Sequence, residues 1–294
     1  MVSNLKIQVV IINVNTPESS TLALLSALRY TNFHIMVVDC PVNGKSYECY
    51  FKQLQKDYPF EYKAMPLNIH GITLDSIFST TDYDYILLLD SDAELLRNDF
   101  LAGSEKFIEN DDCFGVGFIH GPTQMQEGSM VGWKYLYYQE RMYIPCTLLK
   151  VSSIRVALND GVSFEARKQY NDFPIPLLAR LCYYRFAFKF WRNHEFVFSL
   201  PFRRRIHSYF KPSMIYYDTG ADIYCYLKYK KGMNFIGLPF HYHKEYFAHY
   251  HGITRNLLNK RDKNSTSLTD VSDIIIDRLR NEYQFDITKY IEND

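Results

Sequence analysis

Six cysteines in 294 residues, Cys40, Cys49, Cys113, Cys146, Cys182 and Cys225, stand without a single CxxC pair. That argues against a zinc ribbon and a disulfide framework, and fits a reducing cytoplasm. Net charge is missing too: 33 Lys+Arg against 33 Asp+Glu give a formal +0. Without a global field, no nucleic-acid backbone is expected as a partner, and any polyanion contact must be local. No apolar run approaches the roughly 20 residues that span a bilayer. Residues 9–14 are too short for a signal-peptide core and lack its basic flank and small-residue cleavage site. A Gly-rich phosphate loop is also lacking.

What the chain has in excess is aromatic side chains, 16% of the residues, with 25 Tyr and 21 Phe. Core packing is the default use of such residues, and stacking surfaces the functional one. The informative stretch is Tyr85-Ile86-Leu87-Leu88-Leu89-Asp90-Ser91-Asp92-Ala93-Glu94-Leu95, which reads as a strand buried on both faces with two carboxylates at its exit. In extended backbone, side chains two apart share a side, so Asp90 and Asp92 can converge beyond the strand's carboxyl end. Paired hard oxygens there suit Mn²⁺ or Mg²⁺, which would neutralise a diphosphate. The plainer alternative is that Ser91 or Asp92 caps a helix starting near Ala93.

The residues before this stretch alternate between two patterns. Apolar strands are expected at 8–14, 34–39 and 61–65, each followed by a turn and by helices at 19–30, 46–58 and up to 80. Strand and helix in that order imply a parallel, doubly wound sheet. Open sheets of this kind bind ligands at the carboxyl ends of their strands, the edge to which Asp39 and Asp90 belong. A lone strand-end Asp is usually a turn former.

Four features together carry a resemblance: the Asn13-Val14-Asn15-Thr16-Pro17 strand exit, the Val37-Val38-Asp39 strand end, the Asn68-Ile69-His70-Gly71 turn and the Asp90-Ser91-Asp92 triplet. The first hundred residues resemble the nucleotide-sugar half of a GT-A glycosyltransferase, closest to the family 2-like enzymes. The resemblance implies a Rossmann-like, mostly parallel sheet flanked by helices. It implies Asp39 at the nucleoside, Asp90 at the ribose or metal, Asp92 at the metal, and Asn13, Asn15, Thr16 and Asn68 around the donor. A cation replaces the phosphate loop in that family. The competing phosphatase-type Asp-x-Asp closes the first strand of its fold and runs into Gly-Thr, whereas this triplet closes the fourth and runs into Ala93-Glu94.

In the second half, residues 113–119 read as a strand, 132–141 as an aromatic-rich helical segment whose Trp133, Tyr135, Tyr137 and Tyr138 serve the buried core or a sugar-stacking platform, the core being the commoner use, and 144–156 as a strand entering a helix. Residues 175–212 interleave aromatics with basic residues, among them Arg203, Arg204 and Arg205. A packed helical subdomain or a contact with anionic lipid would both use this composition. Residues 217–232 read as a helix with an acidic start and a closing glycine. It resembles the place where inverting family members keep their catalytic base, which assigns Asp222, with Asp218 as the alternative. A last strand at 235–239 leads to His241, His243, His249 and His251. The segment His249-Tyr250-His251-Gly252-Ile253-Thr254 resembles the family's His-x-x-Gly-x-Ser/Thr ending, so His249, with His251 next, is expected to complete the metal shell. Residues 259–267 form a polar linker, and 267–283 a helix with Val271, Ile274, Ile275 and Leu279 on one face.

The domain expectation is a GT-A domain over 1–255, with a nucleotide-sugar half at 1–120, an acceptor half at 121–255 and an insertion at 175–212. A linker and C-terminal helix fill 256–294. The resemblance implies metal-dependent transfer from a nucleotide-diphosphate sugar, UDP being the family's commonest choice, to a glycan or lipid-linked acceptor hydroxyl with inversion. The location implied is cytoplasmic, with peripheral contact at the inner face of a membrane. Two rivals are a catalytically silent nucleotide-sugar or glycan-binding module, and a sugar nucleotidyltransferase. The latter usually carries a Gly-rich N-terminal loop with Arg and Lys, which the first strand's exit lacks.

Overall fold

The computed structural model describes residues 5–42, 46–97, 99, 110, 112–120, 123–124, 136–170, 214–239, 243–250 and 268–290. In chain order the elements of the first half are β1 (Ile7–Asn13), α1 (Pro17–Tyr30), β2 (His34–Asp39), α2 (Glu48–Leu54), β3 (Glu61–Ala64), α3 (His70–Thr80), β4 (Tyr85–Leu89), β5 (Ala93–Leu95), β6 (Cys113–His120), β7 (Thr123–Gln124), β8 (Leu136–Tyr138) and β9 (Arg141–Lys150). They continue with α4 (Val151–Asn159), β10 (Arg167–Tyr170), β11 (Met214–Tyr217), α5 (Ala221–Cys225), a π-helical turn (Tyr226–Lys230), β12 (Asn234–Pro239), α6 (His243–Tyr246), β13 (Phe247–His249) and α7 (Leu268–Tyr283). They fall into two compact units, one drawn from residues 1–120, 140–165 and 219–294, the other from 121–139 and 166–218.

The first unit is built on a seven-stranded sheet of order β12-β6-β9-β4-β1-β2-β3. Val and Ile runs make β1 and β2, whose side chains are buried apart from the half-buried Ile12 and the exposed His34, as expected of strands covered on both faces. The pairs β1/β2, β1/β4, β2/β3 and β6/β12 are parallel, while β9 runs antiparallel to both β4 and β6. The sheet is therefore mostly parallel, as expected, with one reversed strand. Helices α1, α2 and α7 cover one face, with β5 and β13. Helices α3, α4 and α5 cover the other.

Helix α1 starts with Pro17 at its first position and Glu18 in its first turn, both favoured there. Most of it is buried, because the sheet lies on one side and α7 on the other. Leu22 and Leu24 contribute about 1.5–3 kcal/mol each by burial. Strand β1 leads to β2 on one side, and β4 lies on its other side. The order thus reverses between β1 and β4, and a ligand crevice belongs at their carboxyl ends. Gly71, in the first turn of α3, tolerates no side chain: a Cβ there would sit 2.5 Å from the Glu165 backbone.

The second unit is a four-stranded sheet of order β10-β11-β8-β7, held partly by Tyr138 edge-on to Tyr216 and by Arg167 over the Tyr217 ring. Its β8 corrects one expectation. The described part of 132–141 is strand, not helix, because 136–138 pair with both β11 and β7 and aromatic residues follow cross-strand partners more readily than a helical preference. The helix proposed to start near Ala93 is absent as well, since Ala93–Leu95 pairs antiparallel with β13. On α7, Ile275 and Leu279 are buried as expected, but Ile274 is 47% exposed: one position before Ile275, it is turned about 100° away around the helix. Residues 175–212 and the aromatics Trp133 and Tyr135 lie outside the described residues.

Candidate functional site

Strand β4 stops at Leu89, and Asp90 is held by its own N–H donating to Pro145 O at 3.1 Å. The N–H of Ala93 then donates to Asp90 O at 3.0 Å, closing a reverse turn that sends the chain back as β5. Strand β13 pairs with β5 so that His249 lies opposite Ala93, and Tyr250 N donates to Asp92 O at 2.8 Å. This ladder brings His249 Nε2 to 3.0 Å from Asp92 Oδ1, with both side chains only 11% exposed. One ligand atom from each of Asp90, Asp92 and His249 lies within 4.8 Å of the others. Donors around an octahedral cation with bonds near 2.1 Å sit roughly 3–4 Å apart, and the 3.0 Å between Asp92 Oδ1 and His249 Nε2 falls in that range. Two carboxylates suit Mn²⁺ or Mg²⁺, and the imidazole is a ligand that transition metals favour.

Behind the trio stands a residue that sequence reasoning missed. Tyr143 OH lies 2.7 Å from His249 Nδ1, its ring edge-on to the imidazole. Burial first, then the charges of Asp90 and Asp92, push the Tyr143 phenol above its usual range, so it stays protonated. Were Nε2 to serve as a cation ligand, Nδ1–H would donate to the Tyr143 oxygen, which would fix the tautomer and ring plane. Tyr143→Phe is expected to weaken Mn²⁺ binding by about 10–100-fold with little loss of fold stability, as read by isothermal titration. Nothing in a single sequence distinguishes this tyrosine from the other 24 of its 25.

At the ends of β1 and β2 the expected donor residues hold one another. Asn13 Nδ2 donates to Asp39 Oδ1 at 2.7 Å, and Asn13 Oδ1 accepts from Thr16 N and Ser20 Oγ. Asp39 is 0% exposed, and its Oδ2 accepts from Ser46 Oγ, Tyr47 N and Tyr62 OH. Burial and the Asp39 charge push the neighbouring Cys40 thiol up to about 11, which makes it inert as a nucleophile. Asn13, Thr16 and Asp39 therefore fix the shape of this edge. The residues turned outward are Asn15, in a left-handed conformation at φ 56° with its Oδ1 accepting from Tyr47 OH, and the exposed Asn68.

Helix α5 begins after Gly220, which has φ 78° and donates its N–H to Phe164 O. A Cβ at Gly220 would meet the side-chain ends of Ile144 and Met142 at 2.9 Å, so it is the left-handed conformation that calls for glycine. Asp222 lies in the first turn of α5, whose N-cap residue is Gly220. Its helix starts against the same stretch of β9 that carries Tyr143. Asp218 belongs to the second unit and Asp222 to the first. His241 and His251 lie outside the described residues, and His243 opens α6. Two clefts of about 430 and 200 Å³ open at the amino-terminal edge of the sheet, around Tyr83, and neither includes a residue of the Asp92 group.

The sheet order and the switch point make a Rossmann-like, mostly parallel α/β sheet flanked by helices, with the carboxylates at the exit of β4. No protein-family model matches the chain, and neither does any curated protein sequence. Solved structures similar to it include S. aureus TarS, at 14% identity and TM-score 0.35 over 52% of this chain and 29% of that one. TarS 1–349 in complex with UDP-GlcNAc is 16% identical, with TM-score 0.36 over 55% and 49%. The mannosyltransferase PcManGT from Pyrobaculum calidifontis, in complex with GDP-Man and Mn2+, is 11% identical, with TM-score 0.39 over 53% and 47%. The chain spans half or less of the length of each. Likeness of this degree carries no weight for function, which has to rest on the residues themselves.

Proposed function

We infer that the protein transfers a sugar from a nucleotide-diphosphate sugar, a UDP-sugar first among them, to a hydroxyl of a glycan or lipid-linked acceptor. The observation that carries this reading is the meeting of Asp90, Asp92 and His249 at the carboxyl edge of β4, beside the switch point. Held there, with His251 as a further ligand, Mn²⁺ or Mg²⁺ would neutralise the diphosphate and the charge gathering on it as it leaves. Asn15, Asn68 and the edge shaped by Asn13, Thr16 and Asp39 receive the nucleoside and ribose. Asp222, or Asp218 in its place, takes the proton of the acceptor hydroxyl. The acceptor oxygen bonds to the anomeric carbon from the face opposite the diphosphate. The old carbon–oxygen bond breaks, and its electron pair departs with the nucleoside diphosphate, inverting the centre. The basic and aromatic residues 175–212 favour an acceptor at a cytoplasmic membrane surface; no helix among the described residues is long and apolar enough to cross a membrane.

The test is release of nucleoside diphosphate from a panel of UDP- and GDP-sugars with lipid-linked and soluble glycan acceptors. Acceptor-dependent release that stops with EDTA is expected. Glycan binding without release from any donor, even with Mn²⁺ present, would instead indicate a silent binding module.

A further inference from the structure

The β5/β13 pair that sets His249 beside Asp92 is two strands of three residues each. A two-stranded ladder of that size does not hold its shape in water by itself. Its anchor is Glu94, 1% exposed, whose carboxylate receives four donors. Arg278 of α7 grips it with both arms, Nε to Oε2 at 2.6 Å and Nη2 to Oε1 at 2.7 Å. Tyr283 OH, at the end of α7, donates to Oε1 at 2.9 Å. Tyr250 OH donates to Oε2 at 2.6 Å, while the Tyr250 backbone N–H holds Asp92 O. One buried carboxylate thus ties the chain on both sides of the trio to a helix that enters the sequence only at residue 268. The paired fork geometry available to Arg, and not to Lys, fixes direction as well as distance.

We propose that Arg278 is a positioning residue: through Glu94 and Tyr250, helix α7 sets the relative placement of Asp92 and His249 and so the cation affinity of the site. The inference rests on the metal reading of those two residues. Its test is isothermal titration of Mn²⁺ together with a thermal melt, on the wild type, Arg278→Leu, Tyr250→Phe and the double variant Glu94→Leu/Arg278→Leu. Arg278→Leu strands a buried carboxylate and lowers the melting temperature. The double variant replaces the pair by apolar groups, which restores stability in such pairs. In it the melting temperature returns toward wild type while Mn²⁺ affinity stays about tenfold or more below wild type. Tyr250→Phe, the mildest change, also lowers Mn²⁺ affinity. A purely structural role predicts that affinity recovers with stability. Wild-type affinity in both the double variant and Tyr250→Phe overturns the proposal and leaves the metal reading standing. A wild type that fails to bind Mn²⁺ overturns both.

Discussion

Asp92→Ala is expected to abolish the joint stabilisation of the fold by Mn²⁺ and a nucleoside diphosphate. At ligand 100 times above its dissociation constant, the wild type gains about 2.7 kcal/mol by mass action, and the variant should gain close to nothing. The fold itself should survive. Asp92 is anchored through its backbone carbonyl, which keeps the bond from Tyr250 N, and its carboxylate lies 3.0 Å from His249 Nε2. A thermal melt with and without the two ligands reads both effects in one experiment. Undiminished stabilisation in Asp92→Ala would remove this residue from the cation site.

Asp222→Asn should lower turnover by about 10²–10⁴-fold while leaving donor affinity within a few-fold of wild type. The amide keeps the size of the carboxylate and most of its hydrogen bonding but accepts no proton at neutral pH. Its place in the first turn of α5, whose start is set by the left-handed Gly220, leaves the helix start intact on substitution. Measured kcat and KM separate a lost base from a damaged binding site. Full activity in Asp222→Asn with loss in Asp218→Asn would exchange the two roles, and full activity in both would refute the mechanism.

The sequence pattern is most legible where burial is complete. Strands β1, β2 and β4 are runs of Val, Ile and Leu with no room for ambiguity, and Asp90 and Asp92 stand out because carboxylates are costly at the end of such a run. The reversed direction of β9 was not legible, since an apolar strand looks the same in either orientation. Ala93–Leu95 is too short for periodicity to tell strand from helix, and only its pairing with β13 decides. The segment containing Tyr137 and Tyr138 misled for a related reason: its aromatic residues fit a helix face as well as a strand edge. The roles of Tyr143, Glu94 and Arg278 depend on contacts spanning 106 and 184 positions, and no local pattern encodes these. One signal was present in Glu94, a carboxylate between Ala93 and Leu95 that needed a partner if the stretch was buried.

The central claim is that Asp90, Asp92 and His249 together hold a divalent cation that binds a nucleotide diphosphate. Its most direct test is a crystal structure with Mn²⁺ and UDP, with the metal located by its anomalous scattering. The account predicts one strong Mn²⁺ peak about 2.0–2.3 Å from oxygens of Asp90 or Asp92 and from His249 Nε2, with diphosphate oxygens completing its shell. UDP bound at this edge with no metal peak among the three side chains, or a Mn²⁺ peak at a different set of ligands, would contradict it.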